Sequence, residues 1–412
     1  LTLAQLVVTG VIMIQPTAPM PLFGIVYDQA RGHVVSAVLV AMVAMMFTAV
    51  SYGRMARAYP SAGSAYTYVG QELHPSLGFV CGWSMLMDYV LNPVICTIWC
   101  SKAAGNLLPA VPYAIWAVFF ASVFTFLNVR KIEASARTNI ALAIGMGVVI
   151  VAFVVAAARF LPGADLTKPF YDPSTFDWAT FSTGTSLAVL TYIGFDGIST
   201  LSEEVHDARR NILRGTVMVC AIIGVLSAIQ VYLAQIVWPS GEAFPDVDTA
   251  FVHVAGRAGG PWLFHALNVT LLVATIGSGS GAVMAGARLM YGMGREGSLP
   301  RGFFSKIDPV RGVPRNNVLL IGSLALAGAF AMSYQLGAEL LNFGAFIGFM
   351  GVNASALTRY WVRAESRRWT NLVPPVLGFL ICLYLWLSLN TFAKVAGIAW
   401  LAAGFVWWRS RR

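Results

Sequence analysis

The sequence predicts an all-α polytopic membrane protein of about twelve transmembrane helices, the first and sixth of them interrupted. Three observations carry this. Of 412 residues, 58% are hydrophobic and 11% charged, under half the charged share of an average soluble domain. Apolar runs of about twenty residues, the length that a hydrocarbon core of roughly 30 Å asks of a helix, recur along the whole chain. Two of those runs are broken in mid-span by proline, or by glycine beside a carboxylate.

Apolar runs between charged or turn-rich breaks place helices at 3–27, 34–53, 76–101, 112–128, 138–160 and 184–203, then at 212–238, 262–293, 317–334, 338–361, 373–390 and 392–408. Short cytoplasmic loops retain Lys and Arg. With the N-terminus inside, all of the 27 basic residues except Arg31, Lys102, Arg159, Lys168, Arg257 and Lys394 fall in inner loops or the C-terminal tail. One missed helix would scramble that split. Both termini are therefore expected in the cytoplasm, and the chain in a cell membrane, plasma or inner. The longer polar links, 160–178 and 239–261, are expected outside, the second with a short surface helix near Asp248 to Gly256. No soluble domain is expected. The chain begins at Leu1 without an initiator methionine, which leaves a preceding segment and a targeting signal open.

A net charge of +9 would suggest nucleic acid if the basic residues shared one solvated face, and they do not. Cys81, Cys96, Cys100, Cys220 and Cys382 all fall in apolar runs and read as small hydrophobes rather than a disulfide set. His33, His74, His206, His253 and His265 are scattered, without a metal-binding helix pair, so neither an enzyme nor a metal or other cofactor is expected. A channel would carry a repeated pore element or rings of like charge.

The first apolar segment contains Gln15-Pro16-Thr17-Ala18-Pro19-Met20-Pro21. Three prolines strip donors from the helical ladder and clash with preceding carbonyls, so a straight helix is excluded. The sixth contains Tyr192-Ile193-Gly194-Phe195-Asp196-Gly197. Irregular backbone at membrane depth is tolerated only where protein or a water-filled cavity satisfies it. Interruptions at matching places in two halves point to a transporter site at the midplane, and segments one and six match if each half holds five helices. Two independent kinks are the alternative.

At these residues the chain resembles the amino acid–polyamine–organocation superfamily of transporters. Tyr192 to Gly197 and the basic stretch running on to Gly215 are similar to that family's sixth helix and following loop. Tyr59 to Tyr68, Ser135-Ala136-Arg137-Thr138-Asn139 and Ala287 to Pro300 resemble its motifs after helix two, opening helix five and closing helix eight. Trp83 to Tyr89 and Leu341 to Phe346 are similar to those of putrescine-importer-like permeases. The resemblance implies a five-plus-five inverted repeat, with residues 1–160 as one repeat, 184–361 as the other and 373–408 as two added helices. It also implies alternating access around a site between helices one, three, six, eight and ten.

Amino acid carriers of this kind hold the substrate carboxylate on free N–H groups of a glycine-rich break. Here Pro16, Pro19 and Pro21 stand where donors would be counted, leaving those near Thr17, Ala18 and Met20. Asp88 and Asp196 lie in otherwise apolar spans, where a charge costs at least ~2.5 kcal/mol unless paired or hydrated. No Lys or Arg shares their depth, so an organic ammonium, a proton or a metal ion is open as partner. Tyr89, Trp99, Tyr192, Phe195, Phe346 and Phe349 offer cation–π walls worth roughly 0.5–2 kcal/mol each, or simply packing. Asp196 is open to a second reading, capping the unwound backbone.

Glu203 and Glu204 are expected to pair with inner arginines as a gate, rather than to touch substrate. Ser278 and Ser280 are candidates for a sodium site or for close helix packing. Some proton-coupled relatives place a lysine in helix five, roughly where Met146 stands here. The expectation is a secondary importer of a small amine such as putrescine, with proton as the coupling ion. Its substrate site would draw on Gln15, Thr17, Ala18, Met20, Asp88, Tyr89, Tyr192, Phe195, Asp196 and Phe346. An amino acid permease or exchanger, with sodium as a possible coupling ion, is the alternative. Its partners are the substrate and the bilayer, without nucleic acid, and oligomeric state is left open.

Overall fold

A computed structural model describes residues 1–59, 64–131, 136–201, 205–239, 241–295, 297, 299–365 and 367–410. Glu203 and Glu204 lie outside the described residues, as do parts of the stretches Tyr59 to Tyr68, Ser135 to Asn139 and Ala287 to Pro300. Regular structure among the described residues is helical throughout. Eight helices are long and apolar enough to cross a membrane, and three shorter apolar ones accompany them at Leu3–Ile14, Tyr113–Val129 and Arg315–Ala331. The chain is a multi-pass membrane protein.

The first predicted segment is split, as its prolines require, into α1 (Leu3–Ile14) and α2 (Phe23–Gln29). Next come α3 (Val34–Ala58), α4 (Ser64–Glu72), α5 (Pro75–Leu107), α6 (Tyr113–Val129) and α7 (Ala136–Ala157). The sixth predicted segment is also divided, into α8 (Trp178–Ala188), a tight turn of 3-10 helix through Tyr192, and α9 (Gly197–Thr200). Beyond it lie α10 (Ala208–Val237), α11 (Ala250–Arg295), α12 (Arg301–Phe304), α13 (Arg315–Ala331), α14 (Tyr334–Leu357), α15 (Trp369–Leu387) and α16 (Thr391–Ser410).

Two differences from the sequence reading have local causes. Helix α4 is too short and polar to register as an apolar run, and it forms packed against α5 and α14. The expected surface helix near 248–256 and the span from 262 are one run, α11, kinked where Gly260 adopts φ 76° ahead of Pro261. Glycine enters that left-handed region without steric cost. The five cysteines are buried and unbridged.

Helix α5 organises the bundle. Its 33 residues span about 50 Å at 1.5 Å per residue, longer than the hydrocarbon core is thick. It packs against α14, α11, α4, α13 and α6, while α3 packs along α10. Close approach needs small residues at the crossings. A Cβ on Gly344 of α14 would sit 2.5 Å from the Ser84 carbonyl of α5. Because backbone cannot yield as a side-chain tip can, Gly344→Val should destabilise the protein by about 1–3 kcal/mol. Thermal unfolding in detergent reads this out as a lower midpoint, and an unchanged midpoint would contradict the packing.

Candidate functional site

The interruption between α1 and α2 is stitched to its surroundings. Gln15 has φ 75°, and its side-chain amide donates to the Ala274 carbonyl of α11 at 2.9 Å. Gln230 of α10 donates to the Pro16 carbonyl at 3.0 Å, and the Thr17 hydroxyl points at the Met146 sulfur of α7 at 3.7 Å. The Ala18 N–H donates to the Gln15 carbonyl and the Met20 N–H to the Thr17 carbonyl. Met20 is buried in the core. Of the N–H groups counted for carboxylate capture, only that of Thr17 has no backbone acceptor among the described residues.

The second interruption lies against the first. Gly194, at φ 118°, sits where a Cβ would meet Ile14 at 3.4 Å, and a Cβ on Gly10 would meet Ile198 at 2.7 Å. The Asp196 carboxylate turns back on its own loop, accepting the Gly194 N–H at 3.2 Å, while the Gly197 N–H donates to the Gly194 carbonyl at 3.1 Å. Around it the N–H groups of Ile193, Phe195, Gly197, Ile198 and Ser199 donate to backbone carbonyls, and that of Gly194 to the chain's own carboxylate. A side-chain oxygen here takes the place of a backbone acceptor for the residue two before it.

Asp88 differs. Its half-buried side chain lies on α5 within electrostatic reach of Asp196. Among the described residues no hydrogen bond reaches it, and no Lys, Arg or His pairs with either carboxylate. Next to it, Tyr89 is partly buried and within reach of both carboxylates. Pro93 lacks the N–H that would normally bond the Tyr89 carbonyl one turn back, so that acceptor loses its helical partner. The spacing Tyr89-to-Pro93 was a readable signal that periodicity alone passes over.

Other candidates are placed elsewhere. Tyr192 is fully buried and donates its hydroxyl to the Val38 carbonyl of α3 at 2.8 Å, away from Asp88. Phe195 packs edge-on against Tyr52 at 5.4 Å and, tilted by 34°, against Phe349 at 5.3 Å. Phe346 is fully buried, and Trp99 donates to the Asp248 carbonyl. Of the six aromatics considered as walls, only Tyr89 is not fully enclosed by packing. Tyr52 and Tyr68, which sequence reasoning passed over, lie within electrostatic reach of Asp196. Ser280 accepts from Asn128 of α6 at 3.0 Å through both its carbonyl and hydroxyl, and Ser278 faces Cys96. Both serines sit at the close contact of α11 with α5 and α6 around Gly279.

A cavity of about 180 Å³ lies between Tyr66, Phe79, Gly82, Arg288, Leu289, Gly292 and Met293. Gly82 is six residues before Asp88, about 9 Å along the helix.

The family profile described as "Amino acid permease" matches residues 23–406. The chain is 34% identical over 424 residues to the low-affinity putrescine importer PlaP of Escherichia coli (strain K12), covering 99% of this chain and 92% of that protein. It is 26% identical over 397 residues to the branched-chain amino acid permease BcaP of Bacillus subtilis (strain 168), covering 89% and 83%. It is 25% identical over 353 residues to the vacuolar cationic amino acid transporter 4 of Arabidopsis thaliana, covering 79% and 57%.

The buried hydroxyl of Tyr192 separates packing from binding. Tyr192→Phe should lower stability by about 0.5–1.5 kcal/mol and leave the KM for uptake unchanged. A raised KM at unchanged stability would return Tyr192 to the site.

Proposed function

The chain belongs to the amino acid permease family, within the amino acid–polyamine–organocation superfamily, and we propose that it imports a small amine, putrescine or a related diamine, by alternating access. Membership makes it a transporter of an amino acid or polyamine rather than an enzyme. The observation that carries the amine reading is Asp88, a half-buried carboxylate on α5 that no donor among the described residues satisfies. A charge in that position demands a partner, and its near neighbour is a second carboxylate. Two anions within reach of each other suit a dication, or an ammonium and a proton.

Support also comes from the donor side. In the second interruption the Gly194 N–H is taken by Asp196 and those of Ile193, Phe195, Gly197, Ile198 and Ser199 by backbone carbonyls, and among the described residues the counted N–H group of the first that lacks a backbone acceptor is that of Thr17. A substrate carboxylate would find little to bind. The Tyr89 carbonyl and ring instead offer acceptor and π-face to an ammonium. The name of the Escherichia coli relative, a putrescine importer, agrees with this reading. The names of the other two relatives favour an amino acid substrate, and on that second reading the Thr17 N–H and the Gln15 and Ala18 region hold its carboxylate.

On the proposed reading the bundle has twelve crossings, arranged as inverted repeats 1–160 and 184–361 with 373–408 appended, in a cell membrane with both termini cytoplasmic. Proton is the coupling ion we favour. Sodium has less support, because the Ser280 hydroxyl already receives Asn128 and Ser278 faces a thiol.

Asp88→Asn removes the anion while keeping shape. In proteoliposomes it should abolish uptake of radiolabelled putrescine, with expression and elution profile intact. Uptake at the parent rate would overturn the proposal.

A further inference from the structure

Beyond the site, one carboxylate is held differently from all others described. Glu72, the last residue of α4, is 2% exposed and is bound from three sides. The Tyr59 hydroxyl donates to Oε1 at 2.7 Å, Arg359 donates to the same oxygen, and Arg363 donates to Oε2 at 3.2 Å. The guanidinium of Arg359 also lies 5.1 Å over the Tyr59 ring. The two arginines are 40% and 60% exposed. They ride on the π-helical turn Thr358–Val362 that ends α14 and on the residue after it. A buried anion is therefore clamped by two half-solvated cations from another part of the chain.

From this clamp a column of rings runs into the bundle. Tyr59 meets Tyr68 at 6.4 Å, Tyr68 meets Tyr52 at 6.3 Å, and Tyr52 meets Phe195 at 5.4 Å, beside Asp196. Tyr52, Tyr68 and Phe195 are at most 1% exposed, so no water reaches the second interruption along this line. Among the described residues the buried Tyr68 hydroxyl has no full hydrogen bond; it lies beside Ser199, which in turn donates to the Asp196 carbonyl.

We propose that Glu72 is a positioning residue of the transport cycle: clamped by Arg359 and Arg363 it holds the Tyr59–Tyr68–Tyr52 column shut between the second interruption and the arginine-bearing face. The clamp opens only when that face does. A carboxylate so buried cannot lose both guanidiniums without gaining water, and water enters only if α4 and the end of α14 part. The ion pair therefore biases a two-state element, which is what a gate requires. Its partners come from α3, α4 and α14, and α14 also packs on the helix that carries Asp88. The inference rests on the family's transport activity and is independent of which solute is carried.

The test introduces Ser64→Cys, since the buried Ser64 hydroxyl lies 3.4 Å from that of Ser199 beside the column. A membrane-impermeant maleimide is applied from either side of oriented proteoliposomes. Glu72→Gln should speed labelling about tenfold, from the arginine-bearing face only, and raise the KM for solute offered from the opposite face. The charge swap Glu72→Arg with Arg359→Glu should return labelling toward the parent rate, which a purely structural defect would not. If Glu72→Gln does not fold, Arg359→Lys serves, since it keeps the charge and loses the guanidinium fork. Labelling at the parent rate in a folded variant would overturn the gate, whatever solute proves to be transported.

Discussion

A backbone that unwinds inside hydrocarbon must find a partner for every amide it frees, and the rest of this structure depends on how two interruptions meet that constraint. They lie against each other, Gly194 on Ile14 and Gly10 on Ile198. Each is satisfied by protein. The first is tied to α11, α10 and α7 through Gln15, Pro16 and Thr17. The second is capped by its own carboxylate, Asp196. Few donors are left over, and near them stands Asp88, a half-buried carboxylate with no hydrogen-bond donor among the described residues.

That asymmetry gives the two carboxylates different work. Asp196 accepts the Gly194 N–H and keeps the loop in shape. Asp88 has none to hold, and it stands beside a proline-freed carbonyl at Tyr89. On the proposed reading, the cation that Asp88 lacks is supplied by the solute or by a proton. The ring column behind Phe195 then separates this space from the arginine-bearing face.

The helices were legible because an apolar run of fixed length is a direct consequence of membrane thickness, and the breaks because proline and glycine act locally. Thus α3, α5, α10 and α16 begin and end within a few residues of their sequence-based positions, with α5 running six residues further at its C-terminal end. Asp88 and Asp196 stood out for the same reason, as charges in apolar spans. Contacts distant in sequence were not legible. Apart from the proline four residues after Tyr89, nothing local distinguishes Tyr192, whose hydroxyl reaches the Val38 carbonyl, from Tyr89, which lies within electrostatic reach of both carboxylates. Glu72 falls between the expected helices 34–53 and 76–101, and α4, a helix too polar to register, buries it against arginines nearly 300 residues away. Whether a polar group binds solute or backbone is decided by packing across the bundle.

Putrescine and ornithine share a diamine skeleton and differ by one carboxylate, so uptake of the two by the same proteoliposomes tests the central claim most directly. The expected result is uptake of radiolabelled putrescine that excess ornithine fails to inhibit, since among the described residues the counted N–H groups leave only that of Thr17 for a carboxylate. Ornithine uptake equal to that of putrescine would contradict it, and would mean that the Thr17 region binds a carboxylate after all.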